Sequence, residues 1–297
     1  MKTKFASSVA LFLAAIIWGF AFVAQVRGTE YLSPFTMVGV RFAISTLALI
    51  PVVLFFERGR VSKEECRYTF KASIITGSVL FAASTIQQFG IAMTKSAGVS
   101  GFITGLYIIF VPVAYFLFFR KKTGIQVWIG AICAIVGLFL LCFKSGEGFS
   151  FGIGETLLLI GSFFWTAHVM LIDHFGKKVR SLHYSWGQFA VCATLGLAAM
   201  LIFDFGKLNL SLLWDAKWVL LYLGLLSSGG GYTLQTIGQK NSDPTYAVII
   251  LSTESAFSAI GGAIFGTDGM TWVGYVGCLI MFLGIICSQV NIPKSKK

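Results

Sequence analysis

Thr85-Ile86-Gln87-Gln88-Phe89-Gly90 and Thr233-Leu234-Gln235-Thr236-Ile237-Gly238 are one phrase written twice, and the second copy decides the fold. Working outward, a displacement of 147 pairs Trp18 with Trp165, Arg41 with Gln188, Phe42 with Phe189, Gly130 with Gly277 and Gly137 with Gly284; the phrase itself needs one residue more. Each copy contains five apolar stretches. An odd number of crossings makes two tandem copies enter a bilayer from opposite faces, the plan of transporters that expose one central site to either side in turn.

Apolar residues make up 56% of the 297-residue chain and charged ones 12%, against roughly 25% charged in a soluble domain. A water-soluble globule is excluded. Runs near ~20 residues, long enough to cross ~30 Å of hydrocarbon as helices, fall at 8–26, 34–56, 70–93, 97–119 and 124–143, then 153–172, 184–204, 217–238, 244–265 and 270–291. The run lengths and the lack of strict alternation exclude a barrel. The expected fold is therefore an all-α membrane protein of ten transmembrane helices, in two inverted five-helix repeats over 8–144 and 152–292. Ser8–Val26 follows a short basic start, but no small-residue cleavage pattern ends it and Trp18 repeats deep in the chain, so it reads as a span rather than a cleaved signal.

Lysine and arginine set the orientation. With the amino terminus cytoplasmic, seventeen of the 23 basic residues lie in inner segments, among them Arg58, Arg60, Lys63, Arg67, Lys71, Arg120, Lys121, Lys122, Lys294, Lys296 and Lys297. Only Arg27, Lys95, Lys144, Lys207 and Lys217 lie outside. Both termini are expected in the cytoplasm. Topology and attraction to anionic lipid account for the net charge of +11, so nucleic acid is not an expected partner. Five of the six cysteines, Cys142 included, lie inside spans and Cys66 in a loop, without a CxxC pair; neither disulfide nor metal is expected. His168, Asp173, His174 and His183 do not share one helical face, which argues against a metal site there. No cofactor is expected, and no glycine loop for ATP is present.

Trp18-Gly19-Phe20, Arg41-Phe42 and Gly90 through Ala97 leading into Gly105-Leu106-Tyr107 resemble the first EamA repeat. Gly231-Tyr232, Gly238 to Asn241, Leu251-Ser252-Thr253-Glu254-Ser255 and Trp272 to Gly284 resemble the second. The chain is thus similar over nearly its whole length to the ten-helix drug/metabolite transporter superfamily. The resemblance implies movement of small organic solutes, often outward, with the fifth and tenth helices as bracing outside the cavity. Where that pattern carries proline after the glutamate of the ninth span, this chain has Ser255.

Charges inside a bilayer cost at least ~3 kcal/mol on insertion scales and persist where they face protein or water. Arg41 and Glu254 are the two clear cases. They either face a central cavity and balance opposite charges on a solute, or satisfy each other, or backbone carbonyls, as an internal structural pair. Polar and aromatic residues at helical spacing supply further walls: Trp18, Phe22 and Gln25; Ser162, Trp165 and His168; Ser84, Gln87, Gln88 and Ile91; Tyr232, Gln235, Thr236 and Gln239. Taken singly each stripe reads equally as interhelical glue; as a repeated set they point to a cavity. Tyr107 aligns with Glu254, and Gln188 with Arg41, so each charge has a neutral counterpart. Gly229-Gly230-Gly231 is either a close packing face, the simpler reading, or a loosened helix.

The expected substrate-binding set is Trp18, Phe22, Arg41, Gln87, Gln88, Tyr107, Trp165, His168, Gln188, Tyr232, Gln235 and Glu254. The expected activity is secondary transport, outward, of a small organic metabolite such as an amino acid, at a bacterial inner membrane. The alternative is a membrane-embedded enzyme acting on a lipid-linked substrate, which lacks the cluster of acids and histidines it needs. Beyond solute and bilayer, a homodimer is an open alternative.

Overall fold

The computed structural model describes residues 2–59, 61–120, 124–141, 143–144, 148–149, 151–207, 209–240, 242, 247, 250–251, 253–268 and 270–289. Met1, Arg60, Lys121, Lys122, Cys142, Asn241, Ser252, most of 244–249 in the ninth expected span, and 290–297 with Lys294, Lys296 and Lys297 lie outside the described residues. The helices are α1 (Lys2–Gly28), α2 (Pro34–Phe56), α3 (Lys63–Thr94), α4 (Ala97–Gly105), α5 (Tyr107–Phe119), α6 (Ile125–Leu141), α7 (Ile153–Gly176) and α8 (Ser181–Phe203). After them come α9 (Leu210–Asp215), α10 (Lys217–Leu221), α11 (Tyr232–Lys240), α12 (Thr253–Phe265) and α13 (Trp272–Gln289). Among the described residues six helices are long and apolar enough to cross a membrane, with α4 and α5 together forming one of them. Shorter apolar helices cover Trp128–Leu140 and Trp272–Gly284. Phe55, Phe56, Leu47 and Leu54 on α2 and Ile132 and Ile135 on α6 are exposed, as lipid-facing side chains should be.

One expected boundary is corrected. α3 starts at Lys63, seven residues before the expected 70, because Ser62 accepts the Glu65 N–H at 3.0 Å and Glu64 and Glu65 occupy the positive first turn. Between the seventh and eighth spans, Asn209 caps the short α9. The helical chain carries one short antiparallel pairing, of Phe143–Lys144 with Gly148–Phe149, between its two halves.

Glycine contacts show how the copies fit. A Cβ on Gly90 of α3 would lie 2.7 Å from Leu158 Cγ and 3.0 Å from the Gly154 carbonyl; one on Gly238 of α11 would lie 2.6 Å from Leu11 Cγ and 3.1 Å from the Ser7 carbonyl. Leu158 and Gly154 are Leu11 and Ser7 displaced by 147. Gly77 abuts the Gln188 carbonyl and Val191, and Gly224 abuts the Arg41 carbonyl and Ile44, at the same displacement. In α6 and α13, Gly137 meets the Gly277 carbonyl while Gly284 meets that of Gly130. Each repeat is therefore packed into the other by the same set of contacts.

The direction of the second copy follows from its caps. Leu182 and His183 at the start of α8 each donate a backbone N–H at 3.0 Å to the Glu57 carboxylate at the end of α2, and the His183 ring Nδ1 lies 2.6 Å from it. Asp204 at the end of α8, which is Glu57 displaced by 147, accepts from the Ser33 hydroxyl and from Thr36 Oγ1 at 3.0 Å at the start of α2. Corresponding helices thus run antiparallel, and each ends on an acid that closes the other's positive N-terminus.

Candidate functional site

Residues of α1, α2, α3, α4, α5, α7, α11, α12 and the Tyr222–Gly231 turn enclose a cavity of about 40 Å³. That is room for a few waters, each needing at least ~10–15 Å³, and far below the ~300 Å³ of a small-molecule pocket. Of the expected set, Trp18, Phe22, Arg41, Gln87, Tyr107, Trp165, Tyr232, Gln235 and Glu254 line it. Gln88, His168 and Gln188 do not; all three are fully buried behind the wall, where His168 Nε2 meets Gln188 Oε1 at 3.0 Å.

Tyr232 organises the aromatic part. Trp18 and its counterpart Trp165 place their rings 4.8 and 5.9 Å from it, and Phe42 and its counterpart Phe189 lie at 6.0 and 6.1 Å. One ring is gripped by two pairs related by the internal duplication. Its own counterpart, one residue ahead of the repeated phrase, is Ser84, so the ring gripped by both pairs is present in one copy only.

The polar part is lopsided as well. Arg41 is 2% exposed and donates from Nη1 to Gln25 Oε1 at 3.1 Å, while its Nε and Nη2 have no partner. Its guanidinium carbon lies 5.1 Å from the Phe42 ring centre. Glu254, 3% exposed, interacts with Tyr107, its own counterpart from the first copy. The internal-pair reading of the two charges is thereby corrected: among the described residues no ion pair joins Arg41 to Glu254. Gln87 donates to Thr104 Oγ1 at 3.2 Å, and Gln235 Oε1 and Trp165 Nε1 are buried without partners. Unmet buried donors and acceptors cost about 1–3 kcal/mol each, which a polar solute or water relieves.

The triple glycine belongs to a loosened helix as well as a packing face, since Tyr222–Gly231 is wound as a π-helix. Wider winding is unusual and gathers at functional sites. Here the Ser227 carbonyl accepts from Trp18 Nε1 at 3.1 Å, and a Cβ on Gly231 would fall 2.4 Å from the same nitrogen. Ser227 joins the wall through this winding, which side-chain periodicity does not reveal; Ala21, Gln25, Thr104 and Val169 complete it. Gln25 already stood on the Trp18 stripe, and Thr104 lies one turn before Tyr107.

The profile of the EamA-like transporter family matches residues 6–143 and, a second time, 152–289. The chain belongs to that family. An uncharacterized transporter of Archaeoglobus fulgidus is 25% identical over 287 residues, covering 96% of this chain and 86% of its own. The uncharacterized transporter YoaV of Bacillus subtilis is 25% identical over 219 residues, covering 72% and 73%. A solved crystal structure superposes with a TM-score of 0.69 at 17% identity, covering 95% of both chains, a likeness of fold. This EamA-family chain is a membrane transporter with two EamA repeats.

Proposed function

We propose that the protein is a secondary transporter that exports a small organic metabolite, an amino acid or a related compound, by alternating access around the Trp18–Tyr232–Glu254 cavity. The observation that carries this reading is Arg41: a buried guanidinium in the cavity wall with two unpartnered donor nitrogens, joined among the described residues by no ion pair to the Glu254 that lines the same cavity. Its fork suits a solute carboxylate, Glu254 suits an ammonium or hydroxyl, and the Trp18, Trp165 and Tyr232 rings suit an apolar side chain. The remaining site residues, Gln88, His168 and Gln188, act by holding the wall in place. At about 40 Å³ the cavity fits a closed state, which rocking of the repeats 8–144 and 152–292 would enlarge toward either face. Ten spans with both termini in the cytoplasm of a bacterial inner membrane complete the reading, supported by the distribution of basic residues.

Purified protein in liposomes tests it. Uptake or release of labelled amino acids should be saturable and abolished by Arg41→Gln; an amino-acid flux indifferent to that substitution would end the assignment.

A further inference from the structure

A second cavity, of about 440 Å³, lies outside the helix bundle between the first turns of α3 and α8. Its polarity is graded. One end is bounded by Glu65, Arg180 and His183, and the other by Phe70, Trp186, Ala190 and Val191. We infer that this groove holds an anionic phospholipid of the leaflet in which α3 begins, with one acyl chain between Phe70 and Val191 and the headgroup beside the first turns of α3.

Charge argues for the headgroup. Arg180 is engaged by Glu65 at 3.2 Å and by the Glu57 carbonyl, so it closes the groove rather than offering a charge. Lys63, Arg67 and Lys71 follow one another at four-residue intervals, all exposed, on the face of α3 next to Cys66 and Phe70, and none joins an ion pair among the described residues. Glu64 shares their turn and leaves the stripe net positive. A basic stripe at the membrane surface attracts anionic lipid over zwitterionic lipid.

Ser73 argues for the glycerol region. It lines the groove, is 4% exposed, and its hydroxyl has no partner. At a rise of about 1.5 Å per residue it sits about 3 Å deeper than Lys71 along α3, where the ester carbonyl of a lipid whose phosphate meets the stripe would accept its proton. Gly187 on α8 keeps the opposite wall low at this level: a Cβ there would fall 2.3 Å from the Ser73 oxygen.

Native mass spectrometry of the full chain in detergent, with phosphatidylglycerol and phosphatidylcholine of the same acyl chains, tests this. The unaltered protein should retain phosphatidylglycerol about tenfold better than phosphatidylcholine. The triple variant Lys63→Gln, Arg67→Gln, Lys71→Gln should lose that preference and keep its phosphatidylcholine retention; its positions are exposed, so it folds. Ala190→Trp, which fills the apolar end, should weaken both lipids about tenfold, the scale of losing about two buried methylenes of the acyl chain. Equal retention of the two lipids by the unaltered protein, an undiminished preference in the triple variant, or a lipid-free dimer in which a second copy covers the groove would each overturn the proposal, as would full lipid retention by a folded Ala190→Trp.

Discussion

Arg41 and Glu254 line the same cavity and leave each other alone. Arg41 turns one nitrogen to Gln25, and Glu254 faces Tyr107. Two opposite charges taken out of water ordinarily pair, because an unpartnered buried charge is strongly destabilising. Here Arg41 keeps two nitrogens without a partner instead.

Arg41→Lys keeps the charge and loses the planar fork. For a carboxylate-bearing solute we expect the apparent KM in liposome flux to rise about tenfold to a hundredfold, the scale of a lost charge-assisted hydrogen bond. Tyr107→Phe and Glu254→Gln should act together: if Tyr107 works through Glu254, the double variant is no worse than Glu254→Gln alone.

Gly231→Ala puts a methyl group where the Trp18 indole nitrogen now sits, 2.4 Å away. The indole must leave the Ser227 carbonyl and disturb its contact with Tyr232. Flux should fall more than stability, with a thermal midpoint consistent with about 1–3 kcal/mol of overpacking. A variant with full flux would separate the π-helical turn from transport.

Gly90→Ala and Gly238→Ala meet equivalent obstacles, Leu158 with Gly154 and Leu11 with Ser7, at nearly equal distances. Each should cost about 1–3 kcal/mol, and the two thermal midpoints should drop by similar amounts. Widely different losses would show that the two copies do not bear load alike.

Acid should loosen the α2–α8 clasp. Partial burial pushes the Glu57 carboxyl up, yet the N–H groups of Leu182 and His183 and the His183 side chain outweigh it and hold it below its ordinary 4.5. A depressed carboxyl stabilises the fold above its unfolded value, and that contribution is lost as pH falls below 4.5 through the folded value. Asp268, which accepts from Ser96 Oγ at 2.6 Å and Gly98 N–H at 2.8 Å, runs the other way. Burial raises it above 3.8, so its stabilisation is present below that pH and lost as pH rises through the folded value. Melting curves should show a smaller acid loss for Glu57→Gln than for the unaltered protein, and for Asp268→Asn a smaller loss on raising the pH.

The duplicated scaffold was legible because membrane crossing imposes long apolar runs and because repetition is visible without coordinates. Trp18, Arg41, Trp165 and Glu254 stood out since tryptophan pairs and buried charges are conspicuous in lipid. His168 and Gln188 did not show from spacing alone that they would pair behind the wall, because a helical stripe fixes a direction and not a depth. Ser227 was hidden for another reason: it reaches the Trp18 indole through a backbone carbonyl in a π-helical turn. The helical start at Lys63 was obscured by its charge density, although Ser62 and Glu65 spell an N-cap.

Tyr232 is met by Trp18 and by Trp165, one tryptophan from each copy, at ring distances of 4.8 and 5.9 Å. Because that ring has no twin, under the alternating access proposed above altering it should slow passage equally in both directions, whereas a change to one tryptophan should bias one direction over the other.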